Sequence, residues 1–307
     1  MQGHLDALIN NIGRVIRGKD DAIRMAVVCL LARGHLLIED VPGVGKTSLA
    51  SALASSLNCS FQRIQLTSDL LPSDLLGTMI YDPATQQFRL KSGPIFHHIV
   101  LVDEINRSTP RTQSALLEAM NEGQVSLDSH TYPLPEPFMV LATQNPIEFA
   151  GTFPLPESQL DRFLMRISMG YPAREAEREV AMGTLPARGL KPVMTAEEII
   201  ALQREVEQVR VDDSLVAYVL DIIAATRNSA AIALGASPRA ARSMYHAVQA
   251  FAFLEGYDYA LPRHIKELCV PVLAHRILLT ETDNNPSHSR RADEILRALI
   301  EEIHVPL

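Results

Sequence analysis

Two groups of residues in this chain have the types and spacing for phosphate chemistry. The first is Gly43-Val44-Gly45-Lys46-Thr47-Ser48. Small residues let backbone N–H groups approach phosphate oxygens, a lysine reaches the terminal phosphates, and a threonine hydroxyl can ligate Mg²⁺. The full phosphate-loop pattern also asks for glycine at position 40, where this chain has Asp40. A carboxylate there must turn away from the phosphates it adjoins, and aspartate tolerates unusual backbone angles better than most residues. The second group is Asp103-Glu104, which follows Ile99-Val100-Leu101-Val102. An Asp-Glu pair behind an isolated strand often only caps a helix. Behind a phosphate loop on the same sheet, it stands where open α/β sheets bind ligands.

The elements that must hold these groups are legible around them. His35 to Ile38 leads into the loop as a strand, and Ser48 to Leu57 leads out as a helix, the strand–loop–helix order of a phosphate cradle. Segments 61–66, 99–104, 138–143 and 164–169 read as further strands. The unbroken apolar run at 99–102 predicts a strand buried on both faces, as in a parallel sheet. Residues 78–90 and 124–134 read as hairpins inserted into this pattern. Helix and strand alternate to about residue 172, and from about 173 only helical signals remain. Thr195 and Glu198 form a capping box, and Asp213-Ser214, Pro262 and Arg291 mark further helix starts. Ser237-Pro238 opens another helix and so sets Arg239 in its first turn. The expected fold class is α/β: a parallel-sheet nucleotide-binding core over residues 1–175 and an all-α lid domain over residues 190–307.

Composition narrows the class. The chain has 307 residues and a net charge of −8, which disfavours nonspecific coating of nucleic acid. No uninterrupted apolar run approaches the ~20 residues of a membrane span, and no signal peptide is read at the N-terminus. Cys29, Cys59 and Cys269 lie far apart, as reduced thiols of a cytoplasmic protein do. No Asn-Lys-x-Asp guanine motif is found.

Six stretches together resemble the AAA+ ATPases, and within them the MoxR family. They are residues 39–47, Leu101 to Arg107, Thr112 to Met120, Ala142 to Pro146, Pro154 to Phe163 and Gly235 to Arg239. The likeness runs from about residue 11 to 303; Thr143-Gln144-Asn145-Pro146 and Pro154 to Phe163 are its most specific parts. The resemblance implies a P-loop NTPase with ATP and Mg²⁺ as cofactors. Gly43, Val44, Gly45, Lys46, Thr47 and Ser48 would hold the phosphates, with Ile16 and Gly18 near adenine. Thr47 and Asp103 would hold Mg²⁺, and Glu104 would act as general base. Asn145 resembles sensor 1 and Arg239 sensor 2, reading the γ-phosphate from the lid. Arg162 resembles a finger inserted into a neighbouring subunit's site, with Arg166 and Arg107 as alternatives and a salt bridge to Asp161 as its plain structural reading. Gln65 would at most relay contact to Glu104.

A finger acting in trans implies a ring, expected to be hexameric, whose hairpins face partners. The resemblance further implies chaperone-like remodelling of partner protein complexes, with von Willebrand factor type A proteins and at times assisting metal-cofactor insertion. Two other readings stand beside it: a nucleic-acid motor or loader, and a nucleotide-switched regulatory scaffold.

Overall fold

A computed structural model describes residues 2–306 except 129, 146–150, 173, 183–189 and 281–286. Strands β1 (Leu36–Glu39), β2 (Phe61–Gln65), β3 (Gly77–Asp82), β4 (Gln87–Ser92), β5 (Ile99–Asp103), β6 (Gln124–Leu127), β7 (His130–Pro133), β8 (Met139–Gln144) and β9 (Met165–Ile167) all precede residue 168. Five of them form one sheet in the order β2-β5-β8-β1-β9, and every pairing in it is parallel. The remaining four form the two antiparallel hairpins, β3–β4 and β6–β7. The tip of the second hairpin includes Ser129, outside the described residues.

Parallel pairing aligns the strand exits along one edge. Gln65 is in register with Asp103, and Glu39 with Gln144, so the loop after β1, the carboxylates after β5 and Asn145 after β8 share that edge. The apolar run of β5 is fully buried between layers on both faces. Helices α1 (Gln2–Gly13), α2 (Asp20–Leu31) and α3 (Lys46–Ser56) cover one face, where Leu36 and Ile38 point. Helices α4 (Pro72–Leu76) and α5 (Pro110–Glu122) cover the other, where Leu37 points, as the two-residue period of a strand requires.

Helices α6 (Glu157–Leu160) and α7 (Arg174–Ala181) lead into α8 (Ala196–Val206), α9 (Asp213–Asn228), α10 (Pro238–Leu254), α11 (Pro262–Leu273) and α12 (Ser287–Glu302). This helical region shares one continuous apolar cluster with α1–α3. It is not purely helical: β10 (Ile232–Leu234) pairs antiparallel with β11 (Leu278–Leu279). Runs of two and three residues are too short to show a period, so sequence reading missed them. The helix start expected at Arg291 lies earlier, with α12 beginning at Ser287, directly after residues 281–286, which lie outside the described residues. No helix of the described residues is long and apolar enough to cross a membrane.

His35 locks the entry of β1. Its Nε2 bonds the Met120 carbonyl at 2.9 Å and its Nδ1 accepts the Val140 N–H at 3.0 Å, so the ring must be neutral. Burial, which outweighs the Met120 contact, pushes its pKa down from 6.5 to about 4. The unfolded chain therefore binds the proton more tightly. The stabilisation is complete above pH 6.5 and falls away as pH drops toward 4, on the order of 2 kcal/mol by pH 5. Urea unfolding at pH 7 and pH 5 should show that loss, and His35→Gln should have the flatter pH dependence.

Candidate active site

The phosphate loop is shaped by its glycines. Gly43 (φ 86°) and Gly45 (φ 98°) both have left-handed backbone, a conformation open to glycine at no steric cost. Gly45 is the N-cap of α3 and offers no side chain to the first-turn N–H groups, which leaves them for an external anion. Lys46 begins the helix and folds back over the loop, its Nζ donating to the carbonyls of Asp40 (2.8 Å) and Val41 (3.3 Å). Burial lowers the lysine pKa, opposed by the nearby Asp40, Asp103 and Glu104 carboxylates. An ammonium ion loosely satisfied by two carbonyls, with carboxylates near it, is placed to exchange them for phosphate oxygens. Ile16 and Met169 flank the loop, at 4.0 and 3.9 Å from where a Cβ on Gly45 would stand. Gly18, also left-handed (φ 69°), follows Ile16 by two residues. Ile16 was expected here, but Met169 was not, because nothing in a strand-end methionine marks it.

Asp40 does turn away from the loop. Its Oδ2 accepts N–H bonds from Met169 and Gly170, both 2.6 Å, and the Ser168 hydroxyl at 3.1 Å; Oδ1 accepts Val41 N–H at 2.9 Å. The residue that breaks the phosphate-loop pattern thus ties the exit of β1 to the exit of β9, where Met169 stands. Asp40→Ala leaves these donors unpaired, and each buried orphan costs about 1–3 kcal/mol. The expected result is a loss of about 2–5 kcal/mol in denaturant-unfolding free energy together with weaker nucleotide binding.

One hydroxyl binds both residues at the end of β5, the carboxylate of Asp103 and the backbone of Glu104. Thr143 Oγ1 donates to Asp103 Oδ1 (3.1 Å) and accepts the Glu104 N–H (3.0 Å). Arg63 Nε lies 2.6 Å from the other oxygen of Asp103. Glu104 has φ 57° and ψ 53°, a left-handed conformation that costs about 1–3 kcal/mol in a non-glycine residue. Its Oε2 accepts from Gln65 Nε2 at 2.9 Å and pairs with Arg107 Nε at 2.8 Å. Gln65 thus touches Glu104 directly, the contact through which a relay would run. Thr143 and Arg63 were missed. A threonine in an otherwise apolar buried strand was the available signal for Thr143; Arg63 faced no visible partner in the sequence. Asn145 lies just beyond β8 on this edge.

Mg²⁺ prefers hard oxygen donors, commonly one or two carboxylates plus substrate phosphates. The Thr47 hydroxyl at the start of α3 and the Asp103 carboxylate supply donors of that kind.

The arginines lie elsewhere. Arg162 precedes β9, and two residues later Leu164 N–H bonds the His35 carbonyl at the entry of β1 (2.8 Å). The phosphate loop leaves the exit of β1, four residues on, or about 13 Å at 3.3 Å per residue. Arg162 Nε is buried without a hydrogen bond, and its side chain makes no ion pair among the described residues. Asp161 is not its partner: its Oδ1 lies 3.0 Å from Arg276 Nε, and its Oδ2 takes the Ser237 hydroxyl at 2.9 Å and faces Arg239 Nε at 4.0 Å. Arg239 therefore lies beside the Arg162 turn, at the opposite end of the sheet from its own phosphate loop. Of the alternative fingers, Arg166 is nearly buried and bridges Glu39 (2.9 Å) and Asp293, and Arg107 holds Glu104.

Residues 35–165 match the family described as ATPase family associated with various cellular activities (AAA), and residues 224–299 match the AAA lid domain. The chain is 46% identical over 99% of its length to the uncharacterized protein YeaC of Bacillus subtilis, covering 95% of it. It is 41% identical over 90% of its length to Chaperone MoxR1 of Mycobacterium tuberculosis, covering 76% of that protein. It is 32% identical over 94% of its length to Protein MoxR of Paracoccus denitrificans, covering 91% of it. A crystal structure of an ATPase candidate from Cytophaga hutchinsonii superposes with a TM-score of 0.88 at 36% identity, over the whole of this chain and 96% of that one.

Proposed function

The chain belongs to the MoxR family of AAA+ ATPases, and from that premise we propose that it hydrolyses ATP with Mg²⁺ at a site shared between two subunits of a six-membered ring, to remodel partner proteins. One observation carries the shared site: Lys46, Asp103, Glu104 and Asn145 gather at the exits of the parallel strands, while Arg162 and Arg239 lie together at the entries. Lys46 and the N–H groups of Gly43 to Ser48 bind the phosphates, and Ile16, Gly18 and Met169 border the base. Thr47 and Asp103 would hold Mg²⁺, which would supply positive charge against the phosphate oxygens. Glu104 takes a proton from the attacking water, which Asn145 orients. Arg162 of the adjacent subunit balances the charge that develops on transfer. Arg239, first read as a lid residue serving its own site, belongs on this reading with Arg162 at the neighbour's.

The hairpins support a remodelling role. Tyr81 and Phe88 are directly opposed across β3–β4, stack edge-on at 5.4 Å, and are 52% and 67% exposed. The Tyr132 hydroxyl on β7 meets Met79 Sδ on β3 at 3.5 Å, joining the two hairpins. From β3 the chain runs back through α4 and a loop pinned by Thr112 to the Leu70 carbonyl (2.8 Å), and so to Gln65 and Glu104. A load on the hairpin thus has a short path to the general base, along the chain as far as Gln65 and then through one hydrogen bond. One relative, MoxR1 of Mycobacterium tuberculosis, is named a chaperone. A von Willebrand factor type A protein as partner and assistance in metal-cofactor insertion are the finer parts of this proposal.

Among the described residues the hairpins carry two lysine or arginine cations, Lys91 and Arg89, the latter facing Asp82 at 3.9 Å, which is little to bind nucleic acid. The deciding experiment is affinity capture on Glu104→Gln held with ATP. Client proteins should accumulate relative to wild type with ADP. Equal recovery in both states contradicts remodelling and favours a scaffold.

A further inference from the structure

Arg276 is a lid arginine with 4% of its surface exposed. It follows α11 and turns inward, to the short turn between α6 and β9 that carries Arg162. Its Nη2 donates to the Phe163 carbonyl at 2.7 Å, the Ser243 hydroxyl at 3.0 Å and, more weakly, the Asp161 carbonyl at 3.4 Å. Its Nη1 donates to the Val272 carbonyl at 2.9 Å, and its Nε pairs with Asp161 Oδ1 at 3.0 Å, off the line of a hydrogen bond. The neighbouring His275 bonds the same Phe163 carbonyl at 3.1 Å. The backbone on both sides of Arg162 is therefore held by one buried guanidinium.

A buried charge is costly and does not by itself explain a stable fold; an apolar side chain of similar volume would often serve as well. What a guanidinium adds is a planar set of donors that fixes several acceptors at once. Here the acceptors are the carbonyls of 161 and 163, the residues flanking Arg162. The Asp161 carboxylate extends the arrangement to Ser237 and Arg239 at the start of α10. Arg162 itself receives no bond from this frame, and among the described residues its side chain has no hydrogen bond or ion pair of its own.

We infer that Arg276 and Asp161 are positioning residues for the trans cations: the lid of each subunit holds the turn bearing Arg162 and, through Asp161, the Arg239 beside it, and so aims both at the adjacent subunit's site. The inference rests on the trans reading of Arg162. It makes the lid a determinant of the neighbour's turnover through a contact far from the lid's own phosphate loop.

The test uses full-length chains in mixed rings. Lys46→Ala chains have no working site but offer intact cations, whereas Arg162→Ala chains keep a site but offer no finger. In a random one-to-one ring about a quarter of the interfaces join an intact site to an intact finger, so turnover should return to about that share of wild type. If mixing restores nothing, the trans reading of Arg162 fails, and the inference with it. Given restoration, Arg276→Lys is placed in one partner at a time. In the Lys46→Ala chain, which donates the finger, it should remove at least nine-tenths of the restored turnover. In the Arg162→Ala chain, which lacks a finger to aim, the restored turnover should persist. Asp161→Asn, near-isosteric and able to keep the Ser237 contact, should show the same one-sided loss if Arg276→Lys folds poorly. Loss from both positions would make the pair a general brace of the fold, and loss from neither would leave the aim of Arg162 independent of the lid. Either result overturns the inference.

Discussion

Glu104→Gln is expected to lower ATP turnover by about 10²–10⁴-fold, the usual worth of a positioned general base, with nucleotide affinity changed by no more than a few-fold. The substitution preserves shape. The amide oxygen of glutamine still accepts from Gln65, and the left-handed backbone at 104 stays tied to the Thr143 hydroxyl. The phosphate loop, Lys46 and Asp103 are untouched. What is lost is the capacity to take a proton from water, together with the negative charge that faces Arg107. Phosphate release in the steady state and nucleotide binding by calorimetry separate the two effects. Wild-type turnover in the variant would assign the base to another group, and a matched loss of binding would make Glu104 a ligand of the nucleotide.

Arg162→Ala should be at least as damaging, with turnover down by about 10³-fold or more, the lower end of what an arginine finger supplies. Its side chain has no hydrogen bond or ion pair to lose among the described residues, so folding stability should hardly change. Lysine should rescue poorly, since a compact ammonium lacks the planar fork that spans two phosphate oxygens. Arg166→Ala gives the contrast. That arginine joins Glu39 of β1 to Asp293 of α12, so its removal should appear first as lost stability, because it breaks the ion pairs between these two elements. Thermal melts alongside turnover for both variants distinguish a finger from a brace.

How much of this was written in the sequence depends on the range of each contact. The core was legible because its signals are local. Gly-rich loop and helix start are contiguous at 43–48, and the apolar run at 99–102 announces a strand buried on both faces. Caps at Thr195 and Ser237 are set by residues three apart and appear as expected. Contacts between distant segments were not legible. That Asp40 binds the backbone of 169–170 depends on β9 lying next to β1, which no local pattern encodes. The same holds for Arg276 at Asp161, more than a hundred residues away. Arg239 shows the difference most clearly. Its place in the first turn of a helix was correctly read, but the site it faces follows from where the lid packs. The short strands of the lid were lost because two and three residues carry no period.

On the trans reading of Arg162, each site is completed by the neighbouring chain. Mixing Lys46→Ala with Arg162→Ala and measuring ATP turnover tests it most directly. Each variant alone should be nearly inactive, and the one-to-one mixture should recover about a quarter of wild-type turnover as intact sites meet intact fingers around the ring. A mixture no more active than its two parts would mean that Arg162 serves its own subunit, or none, and would contradict the account.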